Sequence, residues 1–387
     1  MSRNPPIIHF TEDELAERRR RTIEALTAQG LEGLLCFRQE SMYYLSGYDT
    51  FGYVFFQCLY LGADGTMTLL TRAPDVRVAA YTSVVEDIRM WVDAPDANPA
   101  EDLKAILDGH GCRGRKLGVE YEAYGLTGRN AKRVDAALEG FCELEDASDV
   151  VNRLRVVKSP AELEYVHRAA ALADRALVVA KEMARPGVFD GDVLAEMQAV
   201  VFRGDGDYPG NEFIVNSGRA SMFGRYIAGH RVMTDDDYLT VEFAGVYRHY
   251  HACLMSTLKV GRPNARHAEL HAIGLEALAA CQAALVPGRI VGDVFASYAE
   301  TLTRRGITGF ANACGYCLGT TFSPNWMDWP MFYRDNPVVV EPGMVFFMHM
   351  TTRDHDRGIG AAPGETVVVT DSGCKRLSRE VLEAGPF

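Results

Sequence analysis

The densest polar cluster in apolar surroundings is the stretch Glu242-Phe-Ala-Gly-Val-Tyr247-Arg248-His249-Tyr250-His251-Ala-Cys253. Leu239, Val241 and Phe243 alternate as one face of a strand, so Thr240, Glu242 and Ala244 form the other. The same alternation over Tyr247 to Thr257 places Tyr247, His249, His251 and Cys253 together. A turn at Gly245 would pair these strands antiparallel and bring two imidazoles to Glu242. Burial raises a carboxyl pKa and an imidazole titrates near neutrality, so such a set can hold and move a proton at pH 7. On local spacing alone the plainer reading is the stronger one: a buried Glu242 satisfied by backbone or arginine, and an exposed His249.

Other segments are chemically suggestive. Residues Asn312 to Pro330 concentrate glycines, two prolines and two of the three tryptophans, Trp326 and Trp329. Glycines admit close backbone approach to a ligand and tryptophans wall pockets for flat or cationic groups, while a core-packed aromatic loop explains the composition equally well. His349 ends the apolar run Val345 to Met348 and is either a core histidine or a site group. Cys314 and Cys317 form a C-x-x-C, but no second cysteine pair or thioredoxin-like context supports a redox or zinc reading.

Two α/β domains are expected to position these residues. Glu12–Gln29 has helical spacing and ends at Gly30, before the apolar Leu34 to Phe37. Tyr53–Leu61 and Thr66–Leu70 read as a hairpin across Gly62 to Gly65. Helices over Pro99–Gly109 and Arg129–Leu138 flank a strand at Lys116–Glu120. We place the first domain at 1–152 and the second at 153–387. The second opens on a helix over Ala161–Ala184 with Ser159 as N-cap; helices at Asp192–Phe202, His267–Leu285 and Val291–Arg305 and strands at Val338–Met350 and Thr366–Thr370 follow.

The chain has 387 residues and a formal charge of −12, a field that repels nucleic acid. The basic run Arg18 to Arg21 follows four acidic residues within one helical pattern and reads as a solvated face. No segment reaches the ~20 apolar residues of a membrane span, and Met1 to Phe10 lacks the apolar core of a signal peptide. Nine scattered cysteines fit reduced thiols. A cytoplasmic protein without nucleic-acid or membrane partners is expected.

Several motifs in order resemble the creatinase, prolidase and aminopeptidase P family of "pita-bread" fold: Val157-Lys158-Ser159-Pro160-Ala-Glu, Asn216-Ser217-Gly218, the Glu242 hairpin ending at Val260-Gly261, Gly315-Tyr316-x-x-Gly319 and Glu341-Pro342-Gly343-Met344. The resemblance implies a creatinase-like N-terminal α/β domain followed by a pita-bread catalytic domain. Metal-dependent members hold two metals through five ligands, and at the matching positions this chain has Glu242, Cys253, Tyr316, His349 and Gly364, with Glu365 one residue off and so on the opposite face. A metal-free enzyme without cofactor is therefore expected, similar to creatinase and more nearly to the ectoine hydrolases, from which Arg225 and Gly364 depart.

By this resemblance Glu242, His251, Tyr316 and His349 are the expected catalytic group, Glu242 attacking or activating water and His251 relaying the proton. Arg225, His249, Tyr250, Trp326, Trp329 and Phe56 are the expected substrate-binding group, and Arg225 either grips a carboxylate or pairs with an acidic neighbour. The substrate expected is a small carboxylate-bearing cyclic amidine, guanidino or amide compound. The strip Tyr48 to Phe56 resembles the part of creatinase-like dimers that reaches the partner's pocket, so a homodimer is expected. Two other readings stay open: an Xaa-Pro peptidase-like metalloenzyme with a site rebuilt from His249, His251, His349 and Cys253, and a non-catalytic small-molecule binder.

Overall fold

The computed structural model describes residues 5–225, 230–308 and 313–380; Met1 to Asn4 and Asn312, which enter the readings above, lie outside it. The chain divides into two compact α/β units between Arg155 and Val156.

In the first unit, helices α1 (Glu12–Ala28), α2 (Gln39–Ser46), α3 (Val76–Thr82), α4 (Pro99–Gly109), α5 (Gly128–Leu138) and α6 (Asp149–Arg155) accompany strands β1 (Gly33–Cys36), β2 (Cys58–Gly62), β3 (Met67–Arg72), β4 (Asp87–Trp91), β5 (Lys116–Val119) and β6 (Glu143–Asp146). The strands form one mixed sheet of order β4-β3-β2-β1-β5-β6. The expected strand from Tyr53 begins only at Cys58; Gly52–Val54 is a short 3-10 turn instead.

The second unit carries α7 (Pro160–Met183), α8 (Asp190–Arg203), α9 (Ala265–Ala284) and α10 (Val291–Arg304) with strands β7 (Ile214–Ser217), β8 (Tyr238–Tyr247), β9 (Tyr250–Lys259), β10 (Gly315–Cys317), β11 (Asp328–Met331), β12 (Val345–His349), β13 (Thr352–Asp354), β14 (Ile359–Ala361), β15 (Gly364–Thr370) and β16 (Gly373–Arg376). The main sheet runs β11-β10-β12-β15-β9-β8-β7, with β16 beside β15. The expected strand from Val338 starts only at Val345, because Glu341-Pro-Gly343 turns the chain and Gly343 takes a positive φ of 90°.

Helix α7 starts where the sequence asks it to. Ser159 accepts from Glu162 N–H at 3.3 Å while the Glu162 carboxylate accepts from Ser159 N–H at 2.8 Å, a reciprocal capping box after which Pro160 costs nothing. Residues of α7 to α10 then pack with Leu239, Val241, Phe243, Leu254, Phe346, Met348 and Val367 in a single core on one face of the sheet. Strand alternation turns Glu242, Cys253, Met255, Phe347, His349 and Gly364 to the other face.

Gly245 is the point at which this packing corrects the sequence reading. It lies mid-strand in β8, paired with Ala252, and makes no turn. A Cβ there would sit 2.0 Å from Ala169 O and 2.4 Å from Ala173 N, so glycine is required because the α7 backbone crosses the strand at that point. The hairpin turns three residues later at Arg248-His249, both left-handed with φ of 50° and 64°. No helix among the described residues is long and apolar enough to cross a membrane.

Candidate active site

Register builds the site. His349 pairs with Gly364, Gly364 with Met255, and Met255 with Glu242, so these four lie in one row across β12, β15, β9 and β8. Strand spacing of ~4.8 Å makes that row about 14 Å long. Tyr316 pairs with Phe347 on the same face, and its ring centroid lies 5.6 Å from that of His349. That face of the sheet therefore presents Glu242 at one end of the row and His349 at the other, with Tyr316 on the strand next to His349.

Glu242 is the one partly accessible position in an otherwise buried β8. Burial raises its pKa to about 7, and the charge of Arg225 keeps it from rising further. Among the described residues nothing hydrogen-bonds its carboxylate. Cys253, one step along on β9, has its thiol pKa pushed well up by burial and by Glu242. Tyr316 is likewise held neutral, by burial first and then by Glu242 and Cys253. Its hydroxyl oxygen accepts from Trp326 Nε1–H at 2.8 Å, which leaves the phenolic proton free to be donated elsewhere. Burial, then Arg353, lower the His349 pKa to about 4, so this imidazole is neutral near pH 7.

The other expected site residues go elsewhere. His251 pairs with Val246, four positions from the Glu242 pair and about 13 Å along the strand. Its Nε2 accepts from Gly210 N–H at 2.9 Å, so its proton belongs on Nδ1, which faces the His249 carbonyl at 2.9 Å and the Thr321 hydroxyl at 3.2 Å. With a pKa lowered to about 3 by burial and then by His249, it is a neutral ring joining three backbone segments. Because the turn falls at Arg248-His249, Tyr247 and His249 do not share its face: His249 stacks on Phe322 at 4.2 Å and the Tyr247 hydroxyl accepts from Arg168 at 2.9 Å. Tyr250 donates to Glu162 at 2.7 Å and so braces the α7 cap.

Trp326 reaches the site through its hydrogen bond to Tyr316, and Trp329 packs against the helix-side core. Phe56 is buried in the core of the first unit, 5.6 Å from Phe37. Arg225 is exposed beside the turn that follows β7. Cys317 contacts Lys158 Nζ at 3.2 Å and Cys314 neighbours Cys281, so the C-x-x-C is no thiol pair of its own. Arg353, four residues past His349, escaped the sequence reading; its one signal there was a cation shortly after an apolar strand.

A metallopeptidase family M24 model matches residues 164–371, and a creatinase/prolidase N-terminal domain model matches residues 18–157. This chain belongs to the metallopeptidase family M24. It is 25% identical to an ectoine hydrolase of Halomonas elongata over 95% of this chain and 96% of that one, and 23% identical to an Xaa-Pro dipeptidase of Pyrococcus horikoshii over 96% and 99%. Among solved structures, an Xaa-Pro dipeptidase from Bacillus anthracis superposes with a TM-score of 0.83 at 22% identity, covering 95% of this chain and 99% of that one. A prolidase from Thermococcus sibiricus does so with a TM-score of 0.85 at 19% identity, over 96% and 98%. The M24 chain thus has the hydrolase family's pita-bread fold with its creatinase-type N-terminal domain.

The family name implies a metal, and the residues of this M24 chain do not fit one. Of the positions Glu242, Cys253, Tyr316, His349 and Gly364, one is a carboxylate. A Cβ on Gly364 would crowd Met348 O at 2.9 Å and His349 Cβ at 3.0 Å. Glu365 points to the helix side, where it accepts from Gln282 at 2.6 Å and Arg376 at 2.5 Å. Among the described residues no three His, Cys, Asp or Glu side chains gather as a metal cage. Hard divalent ions want several oxygen ligands, and this face offers one carboxylate.

Proposed function

We propose that this protein is a metal-independent hydrolase of a C–N bond in a small, carboxylate-bearing cyclic amidine, guanidino or amide compound. The observation that carries the reading is Glu242: a carboxylate at one end of that row, with no hydrogen-bond partner among the described residues and a pKa of about 7. A carboxyl poised there accepts a proton from water and returns it to a leaving nitrogen, so one group serves as base and acid. In the alternative course its oxygen attacks the electrophilic carbon directly and water releases the product. The Tyr316 hydroxyl donates to the oxygen or nitrogen that gathers negative charge, oriented by Trp326, and neutral His349 lines the far end. The similarity to ectoine hydrolase supports a non-peptide substrate, and the lost ligand positions count against Xaa-Pro dipeptidase chemistry.

His251 is left out of this proton path because both its nitrogens are engaged by backbone and Thr321. The exposed Phe51, Val54 and Phe55 of the Tyr48 to Phe56 strip are 79%, 57% and 42% accessible, which supports a homodimer in which a second copy covers them. The free state of all nine cysteines supports a cytoplasmic location.

Incubation of the chelator-treated protein with ectoine, creatine and related cyclic amidines, followed by NMR, tests the reading. Hydrolysis of one of them that is unchanged by chelation is expected. Turnover that vanishes on chelation and returns with one metal would sink it.

A further inference from the structure

The chemistry proposed above leaves one ionised side chain beside this site without a task. Arg353 stands on β13, partly buried, beside the neutral imidazole of His349. Its Nε–H donates to Met222 O at 3.0 Å, in the turn that leads to Arg225. Gly360 on β14 flanks its stem, where a Cβ would lie 3.7 Å from Arg353 Cγ. Among the described residues its two terminal nitrogens make no hydrogen bond and no carboxylate lies within ion-pair distance. The adjacent Asp354 is taken by Arg266 at 2.9 Å.

The pattern leaves donors to spare on a partly buried arginine. A guanidinium has five N–H donors, one of which is hydrogen-bonded here among the described residues. Burial draws the Arg353 pKa below its ordinary value, the nearby Tyr298 phenol opposing the shift. Arg18, which is drawn in further and is 2% exposed, is paired with Glu14 at 3.0 Å. Arg353 has instead an open, planar edge of donors, the shape that grips a carboxylate through two bonds.

We propose that Arg353 is the carboxylate clamp of the site, binding the anionic group of the ligand beside His349 so that its electrophilic carbon faces Glu242. The proposal rests on reading this face as the binding site for a carboxylate-bearing compound. Exposed Arg225 then serves at the rim, where its charge moderates Glu242 and draws anions inward.

The test compares two pairs of probes by calorimetric titration of the full chain: ectoine against methyltetrahydropyrimidine, the same ring without its carboxylate, and creatine against N,N-dimethylguanidine. Wild-type protein is expected to favour the carboxylate-bearing member of at least one pair by about tenfold or more. Arg353→Met should erase that preference and Arg353→Lys restore only part of it, because an ammonium lacks the fork. Without ligand, Arg353→Met should melt close to the wild-type temperature, since a partly buried side chain gives up one hydrogen bond there.

Retention of the preference in Arg353→Met would overturn the proposal, and so would a wild-type protein with no preference in either pair. An Arg353→Met protein that melts well below wild type would assign Arg353 to holding the Met222 turn. Carboxylate-dependent binding with no hydrolysis would leave the clamp standing and remove the hydrolase reading. Hydrolysis with an unchanged KM in Arg353→Met would do the reverse.

Discussion

Glu120 in the first unit and Glu242 in the second are both glutamates drawn into a sheet, and burial raises the pKa of each. Glu120 follows β5 and is fully enclosed, yet it accepts from the N–H groups of Phe37 and Arg38 at 3.0 and 2.9 Å and from the Ser41 hydroxyl at 2.5 Å. It thereby satisfies donors at the start of α2 that have no partner within the helix. Glu365 is satisfied too, by Gln282 and Arg376. Among the described residues Glu242 has no such bond, and it keeps a little accessible surface. Burial of a carboxylate by itself therefore says little about function; acceptors left open say more.

Glu242→Gln makes the sharpest cut in this comparison. It keeps shape and removes the anion, so kcat should fall by about three decades or more in a folded protein, given that a positioned acid–base group contributes ~10²–10⁴. If Glu242 is a nucleophile, wild-type protein quenched during turnover carries a mass increment on its peptide. A folded Glu242→Gln enzyme with near wild-type kcat would erase the distinction from Glu120.

The pH dependence follows from the same shift. Between the ordinary value of 4.5 and about 7, folded Glu242 holds a proton that the unfolded chain has released. Stability therefore falls as pH rises through that window, by up to roughly 3 kcal/mol above it. Glu242→Gln removes that loss, so its gain in Tm over wild type should be larger at pH 8 than at pH 5. The kcat/KM of wild type should climb to a plateau above about pH 7. An equal Tm difference at both pH values would show that Glu242 is not raised.

Glu120→Ala should do the opposite. Three donors lose their acceptor, which costs about 1–3 kcal/mol for each group left buried and unpaired, read as a lower urea midpoint, while kcat of the folded fraction stays unchanged. A Glu120→Ala protein as stable as wild type would break the comparison from the other side.

Smaller effects separate Trp326 from His251. Trp326→Phe deletes the donor to Tyr316 and should lower kcat about two- to tenfold with little change in KM, the worth of one hydrogen bond. His251→Gln should leave the pH profile of turnover in place and lower stability by about 1–3 kcal/mol, because its partners are backbone groups. Loss of the pH-dependent limb in His251→Gln would return His251 to the proton path.

Much of the fold was legible. The capping box at Ser159 and Glu162, the alternation of Leu239, Val241 and Phe243, and the helices over α1, α4, α7 and α10 follow from local spacing. Once the family resemblance marks the metal-ligand positions, residue type alone makes them poor, since Cys253, Tyr316 and Gly364 cannot act as carboxylates wherever they lie. The opposite facing of Glu365 followed from strand period alone.

Other features depended on contacts with distant segments, and there the sequence was silent or misleading. Gly245 reads locally as a turn, but its need for a bare Cα comes from Ala169 and Ala173 of a helix crossing the strand. With the turn moved to Arg248-His249, two residues without the usual glycine or asparagine, Tyr247 and His249 left the face assigned to them. His251 has the residue type of a proton relay, yet Gly210, 41 positions away, claims its acceptor nitrogen. Arg353 gave no periodic signal at all. Residue type and period decide what a side chain can do and which face it takes. Whether its donors and acceptors are already spent is decided by segments remote in sequence, and only the tertiary structure brings those together.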